Sequence, residues 1–524
     1  MAMDTANKGS GAEPDNEKKR GTPGERTTRS RVIGFVAGPL VGLIIFLVMP
    51  EMPLPLGDGE TETVMSVNGS VVAAITAWIA IWWATEPIPI PATSLLPLVL
   101  FPLLIDNVEV GDVSSSYGSD VIFLFMGGFM LALAMQKWDL HRRIALLIVS
   151  KVGSNTVGLI AGFMAATFVI GMWVSNTAVA VMMLPVGLSV IGLVTQLRDG
   201  KTDANFATAL MLAIAYSASI GSVSTLISTP PNVLMVGYLA ENHDIHIGFG
   251  EWMVAGVPLA MIFLVIAWVL LAKIVYPPKV KRIEGAQELI RSELGKMGPM
   301  KRAEKLVLLV FGFAAFSWIA APMLAKNDAF ASLFPWIGSV SDAMVAMIVG
   351  VLLFIIPVDK NNRLLDWDAA LKLPWGILLL FGGGIAISSQ FTSSGLSTWI
   401  GGRVSILEGV PMWALILAVT VLVLCLTELT SNTATAATFL PIMGGVAVGM
   451  GVDVLALVIP AVLASSMSFM LPVATPPNAI AFGSGYVKIT EMLRAGLWFN
   501  FAALFMIMFS MYGLFSWALG VNVW

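Results

Sequence analysis

Two tripeptides and two tetrapeptides hold most of the polar chemistry in the apolar part of this chain. Ser175-Asn176-Thr177 and Ser431-Asn432-Thr433 each interrupt a long apolar stretch, as do Thr229-Pro230-Pro231-Asn232 and Thr475-Pro476-Pro477-Asn478. Each SNT offers two hydroxyls, one amide and the backbone of a turn. Three consecutive hydrogen-bonding side chains are costly in hydrocarbon unless something satisfies them. In each TPPN the paired prolines remove backbone donors and interrupt the helix. The carbonyls of Ser228 and Ala474 should then lose their helical partners. Thr229 and Thr475 add hydroxyls, and Asn232 and Asn478 can cap the half-helix that follows. The set is rich in oxygen and uncharged. Carbonyl, amide and hydroxyl oxygens suit a hard cation such as Na+, whereas hydroxyls, amides and half-helix N-termini suit a carboxylate or sulfate. Along the sequence no Arg or Lys lies near a motif. An anion held there must be neutralised by something else, and bound Na+ is the available candidate. Cation and anion binding would then be coupled.

The elements that position these groups follow from composition. The chain of 524 residues is 57% hydrophobic and 12% charged, with a mean hydropathy of +0.86. That charged fraction is about half of what a soluble protein carries, and long apolar runs recur along most of the length. This predicts an all-α polytopic membrane protein. Cys425 is the only cysteine, which excludes an internal disulfide, a cysteine zinc site and an iron–sulfur cluster. Eleven crossings are expected, at about 32–49, 68–84, 92–105, 121–137, 205–240, 250–276, 304–325, 340–357, 374–392, 454–486 and 494–519. Two further apolar stretches, 156–190 and 411–450, are too long for one span and carry SNT in their middle. They read as re-entrant hairpins with non-helical tips at SNT. With the N-terminus in the cytoplasm and the C-terminus outside, every Lys and Arg except Lys326 and Arg403 falls on the cytoplasmic side. Reading either hairpin as a single span would destroy that separation.

The two halves of the chain match in order. "FLFMGGFMLALAMQKWDL" parallels "LLLFGGGIAISSQFTSSGL", aligning Gly127–Gly128 with Gly382–Gly383, and SNT and then TPPN follow in both. Five spans per half make the copies inverted, a secondary-transporter architecture. The expected layout is a disordered cytoplasmic tail (1–31), a first span with an exterior loop (32–67), and repeat 1 (68–276, hairpin 156–190, broken helix 205–240). A cytoplasmic linker with an amphipathic helix (277–303) leads to repeat 2 (304–524, hairpin 411–450, broken helix 454–486). A third SNT, 154–156, has no counterpart and reads as an ordinary helix start.

The paired SNT and paired TPPN resemble the divalent anion/sodium symporter family, which carries dicarboxylates, tricarboxylates or sulfate. "SSMSFMLPVATPPNAIA" (465–481) resembles that family's signature, with Ser466, Phe469, Pro472 and Asn478 in place and Ala481 where valine is usual. The resemblance spans about residues 30–520. It implies two or more co-transported Na+ ions, one held by Ser175, Asn176 and the backbones of Gly171 and Ser228. The other would be held by Thr427, Thr430, Asn432 and the Ala474 backbone. It implies that substrate carboxylates meet Ser175, Asn176, Thr177, Thr229 and Pro230 on one side, and Ser431, Asn432, Thr433, Thr475 and Pro476 on the other. Gly171 stands where the first cation site often has a hydroxyl, and Ser228 replaces a frequent glycine. A homodimer is also implied, with a fixed scaffold and a transport domain that moves like an elevator.

Na+-coupled symport of a C4-dicarboxylate such as succinate, malate or fumarate is the favoured expectation, in a bacterial inner membrane and with no nucleic-acid partner. The alternatives are a dicarboxylate exchanger without net Na+ coupling, a Na+/sulfate or Na+/citrate symporter, and a Na+/H+ antiporter. An antiporter needs titratable groups at mid-membrane, and the motifs have none. Glu428, near the second SNT, reads as structural or mouth-lining. No G-x-x-x-x-G-K-[ST] loop occurs and no His falls in a span, so neither an ATP-driven pump nor an intramembrane hydrolase is expected.

Overall fold

The computed structural model describes residues 23–49, 54–55, 61–62, 67–404 and 409–523. Among them, nine helices are long and apolar enough to cross a membrane, so the chain is a multi-pass membrane protein. The first helix, Pro23–Val48, begins inside the stretch expected as tail. Pro23 opens it, its missing N–H falling where a helix has no use for one. Much of the loop that follows lies outside the described residues, but Leu54–Pro55 and Thr61–Glu62 pair as a two-residue antiparallel ladder.

The stretch 92–105 differs from expectation. It forms two short helices, Ile90–Thr93 and Pro97–Leu104, the second with Pro102 inside it. Turn hydrogen bonds from Ser94, Leu95 and Leu96 N–H join the two into one short apolar helical run, Ile90–Leu104. Proline interrupts the regular helix of this run.

Both long apolar stretches with SNT are helix–break–helix units. The first runs Thr156–Gly171 and Asn176–Gln196, and the second Met412–Thr427 and Asn432–Gly449. The TPPN helices break too, giving Ala204–Ser222 then Pro230–His243, and Val454–Ser465 then Pro476–Gly483. Ala204–Ser222 and Val454–Ser465 are buried almost all round, as interior helices must be. Each packs on both arms of its own hairpin. The second half-helices cross over: Pro230–His243 lies on the second hairpin and Pro476–Gly483 on the first.

A second group of helices, Asp120–Lys137, Arg302–Ala325, Asp342–Ile355 and Trp375–Ser393, packs alongside. Gly127 sets the tightest crossing there, since a methyl group at that position would overlap the Ala346 carbonyl.

The linker after Phe249–Val269 straps the first hairpin. Thr156 donates its hydroxyl to the Val280 carbonyl (2.6 Å), Ile283 N–H donates to the Ser154 carbonyl (2.8 Å), and Asn155 caps Thr156–Gly171. Beyond the hairpin's other end, buried Asp203 accepts from Lys279 and Val280 N–H, both at 2.9 Å. Both ends of the hairpin therefore meet the same few linker residues, on one face. The linker helix Ala286–Lys296 is tied to the Leu140–Ser150 helix by Arg142–Glu293 (3.3 Å). Arg143 forks onto Glu304 (2.7 and 3.1 Å) and reaches the carbonyls of Met297 and Gly298.

Candidate functional site

The four motifs meet at one cavity of about 430 Å³. Its wall includes Ser175, Asn176, Thr177, Ser228, Thr229, Pro230, Ser431, Asn432, Thr433, Ala474, Thr475 and Pro476. Every residue named above for the substrate thus lines the same cavity, although hundreds of residues separate the two sets in the chain. Of those named only for cations, Ser228 and Ala474 line the cavity; Gly171, Thr427 and Thr430 do not.

Four helices begin here. Ser175 and Ser431 precede the second hairpin arms, and Thr229 and Thr475 precede the second half-helices, each with extended backbone. Both Thr residues are followed by two prolines, which cost a helix start nothing because its first N–H groups lack intrahelical acceptors. The helix N-termini supply partial positive charge, about half an elementary charge each. An anion here finds positive potential without a cationic side chain at the tips.

The two broken helices are held open in matching ways. Asn232 donates to the Val223 and Thr225 carbonyls (3.4 and 2.9 Å), and Asn478 to the Ser468 and Leu471 carbonyls (3.3 and 3.1 Å). The expected caps therefore reach backward into the gap. The amide oxygens of both are buried and have no hydrogen-bond partner among the described residues.

Each hairpin is also fastened to the gap beside it, at equivalent positions but with opposite chemistry. In the first half, the Thr225 hydroxyl donates to the Met172 carbonyl at 2.5 Å. In the second half, the equivalent of Met172 is Glu428, and the equivalent of Thr225 is Leu471. The Glu428 carboxylate accepts from Phe469, Met470 and Leu471 N–H (2.8 to 3.2 Å) and from the Asn500 amide at 2.8 Å. Glu428 is 5% exposed and serves as a backbone clamp; it does not line the cavity.

Behind the second tip, the Asn432 amide oxygen accepts from Thr427 (2.7 Å) and Ser468 (3.1 Å), and Thr427 also reaches the Ser465 carbonyl (2.7 Å). Ser465 and Ser468 escaped the sequence reading, although both lie within the signature stretch. The Thr430 hydroxyl turns into its own hairpin, onto the Leu426 carbonyl and Thr435. At the first tip, the Asn176 oxygen accepts from Thr177 N–H at 2.8 Å. A Cβ on Gly171 would sit 3.2 Å from the Ala218 carbonyl. The glycine suits this close helix packing, and a larger residue there would need the Ala218 carbonyl to give by a few tenths of an ångström.

One expectation is corrected. Lys372 lies on the cavity wall, beside Gln136. Its loop folds back over the rim because Trp138 Nε1 donates to the Leu364 carbonyl (2.8 Å) and Lys137 pairs with Asp366 (2.5 Å). No acidic side chain lines the cavity among the described residues.

Comparison with known proteins agrees with this architecture. The sodium:sulfate symporter transmembrane region model matches residues 36–521. The sodium-dependent dicarboxylate transporter SdcS of Staphylococcus saprophyticus is 42% identical over 497 residues, covering 93% of this chain and 94% of that protein. Its namesake from Staphylococcus aureus is 41% identical over 500 residues, 94% and 93% of the two chains. The solved YdaH transporter of Alcanivorax borkumensis shares the fold, with a TM-score of 0.57 at 14% identity over 94% of this chain and 99% of that one. The chain belongs to the sodium:sulfate symporter transmembrane family, the divalent anion/sodium symporters that the paired motifs resemble.

Proposed function

We propose that this protein is a secondary active transporter that carries a C4-dicarboxylate, such as succinate, malate or fumarate, together with Na+. One observation carries the reading: uncharged motifs from both halves, and the four helix N-termini they begin, converge on one cavity without an acidic side chain. The relatives named as sodium-dependent dicarboxylate transporters, matched over nearly their whole length, support the substrate class.

In this reading Ser175, Asn176 and the backbones of Gly171 and Ser228 hold one Na+. Asn432, Thr427, Thr430 and the Ala474 carbonyl hold another. Thr430 joins by turning away from Thr435. The bound cations neutralise the dicarboxylate, whose two carboxylates meet Ser175, Asn176, Thr177, Thr229 and Pro230 at one end and Ser431, Asn432, Thr433, Thr475 and Pro476 at the other. No covalent bond is made or broken. The hairpins and broken helices form the moving body of an elevator, and Asp120–Lys137 with Trp375–Ser393 belong to the fixed one. The inverted repeats 68–276 and 304–524, the eleven-segment course of the chain, a cytoplasmic N-terminus, an exterior C-terminus, a bacterial inner membrane and a homodimer complete the proposal.

In proteoliposomes, uptake of labelled succinate should require an inward Na+ gradient. Uptake that persists without Na+ and is driven by internal dicarboxylate would replace symport with exchange.

A further inference from the structure

We propose that Lys372 is a sided capture residue: it draws the dianion to the cavity from one face of the membrane only and takes no part in the other. The proposal rests on the dicarboxylate reading above.

Lys372 is the one basic residue on the cavity wall among the described residues. It is exposed, on a loop whose backbone is held on both flanks. Before it, Asp366 caps the single turn Trp367–Ala370 by accepting from Ala369 N–H at 2.7 Å, and also binds Lys137. After it, Leu373 is buried and Pro374 starts the helix Trp375–Ser393. The loop therefore presents an ammonium at a fixed place on the rim.

Charge alone would not single it out, since Lys137, Asp366 and Asp368 lie close by. Their placement decides. A second depression opens from the same rim, sharing Leu133, Gln136 and Lys372, and its other walls carry Lys137, Asp366 and Asp368. Neither Asp faces the cavity, whereas Lys372 faces both spaces. Asp366 is further committed to Lys137 and a backbone N–H, which hold its carboxyl below the usual range. Lys372 also acts on Asp366 from that side, but only the lysine lines the cavity, so an approaching dianion meets a cation before it reaches the uncharged tips. An exposed rim charge acts mainly on encounter, and its effect fades with salt.

Sidedness follows from the element that bears it. Lys372 is continuous with Trp375–Ser393, which packs on both Asp120–Lys137 and the motif-bearing Pro230–His243 and which the elevator reading above assigns to the fixed body, while the motifs ride on hairpins and broken helices. When the motifs move to the opposite face, Lys372 stays behind. The separation of charge in the sequence puts that loop in the cytoplasm.

The test uses right-side-out and inside-out membrane vesicles with labelled succinate and a fixed Na+ gradient. Lys372→Gln should raise the half-saturating succinate concentration about fivefold at the cytoplasmic face, the equivalent of roughly 1 kcal/mol for a charge contact in water. The exterior face should be unchanged. On the cytoplasmic face the wild-type value should rise with ionic strength and the variant's should not. Lys372→Arg should restore wild-type behaviour. Equal rises on both faces, or no rise on either, would overturn the assignment. Wild-type vesicles that carry no succinate would overturn the substrate reading instead, and the same two-face comparison with labelled sulfate would then decide Lys372.

Discussion

Asn432 sits where three hydroxyl or carbonyl groups meet, and it does so without a charge. Its amide oxygen accepts from Thr427 and Ser468, so it is already oriented toward the gap in the second broken helix. Asn176 is held at its own helix start by Thr177. Neither amide is needed for the fold: Thr427 keeps its bond to the Ser465 carbonyl, and Asn176 is only half-buried. Asn176→Ala and Asn432→Ala should each abolish Na+-driven uptake while leaving the detergent-solubilised protein monodisperse and its melting temperature close to wild type. Full transport in either would remove that residue from the site. The motif residues were legible from the sequence because each appears twice, in the same order. Lys372 was not, since its approach to the cavity depends on a loop pinned by Trp138 and Lys137, and no local pattern records that.

At the scale of elements, the two fasteners between hairpin and broken helix differ in strength. Thr225 ties the hairpin with one neutral hydrogen bond and also meets the Ser228 hydroxyl at 3.0 Å, and each bond lost should cost about 1 kcal/mol. Glu428 accepts four N–H donors. Glu428→Gln turns one acceptor into a donor aimed at backbone N–H groups, and should cost roughly 1–3 kcal/mol for the buried groups left unpaired. The melting temperature of Glu428→Gln should therefore fall further than that of Thr225→Val. The reverse order would mean that the carboxylate is not the clamp the geometry implies. Residue type alone could not reveal this pairing. Glu428 matched Met172 in the repeat alignment, and the likeness lies in where the two positions reach, a backbone carbonyl in one case and a carboxylate in the other. The two-part form of 90–104 was hidden for a different reason: hydropathy measures composition, while prolines set where regular helix stops.

For the whole molecule, motion is the open claim, and one contact tests it. Asn242, in Pro230–His243, donates to Ser388 (3.0 Å) and accepts from Thr392 (2.9 Å), both in Trp375–Ser393. These bonds join the body proposed to move to the body proposed to stay. Asn242→Cys with Ser388→Cys, in a Cys425→Ser background, should form a disulfide on oxidation that stops transport, and a reductant should restore it. Undiminished uptake by the cross-linked protein would rule out a sliding body. The all-helical, multi-pass character was readable because apolar length reports on the whole chain at once. The linker strap was hidden, since it is made of backbone groups and one aspartate.

That strap carries a consequence for how the protein is made. Thr156 bonds to a carbonyl 124 residues further along, and Asp203 waits for N–H groups more than 70 residues away. The ribosome completes the first hairpin long before it makes its fastening. A nascent chain ending before Ile283 holds the hairpin's rim with unpaired groups at the membrane surface. Closing of the first half is therefore an event timed by the synthesis of the linker, and a half-length chain cut at residue 276 would be missing the piece that finishes it.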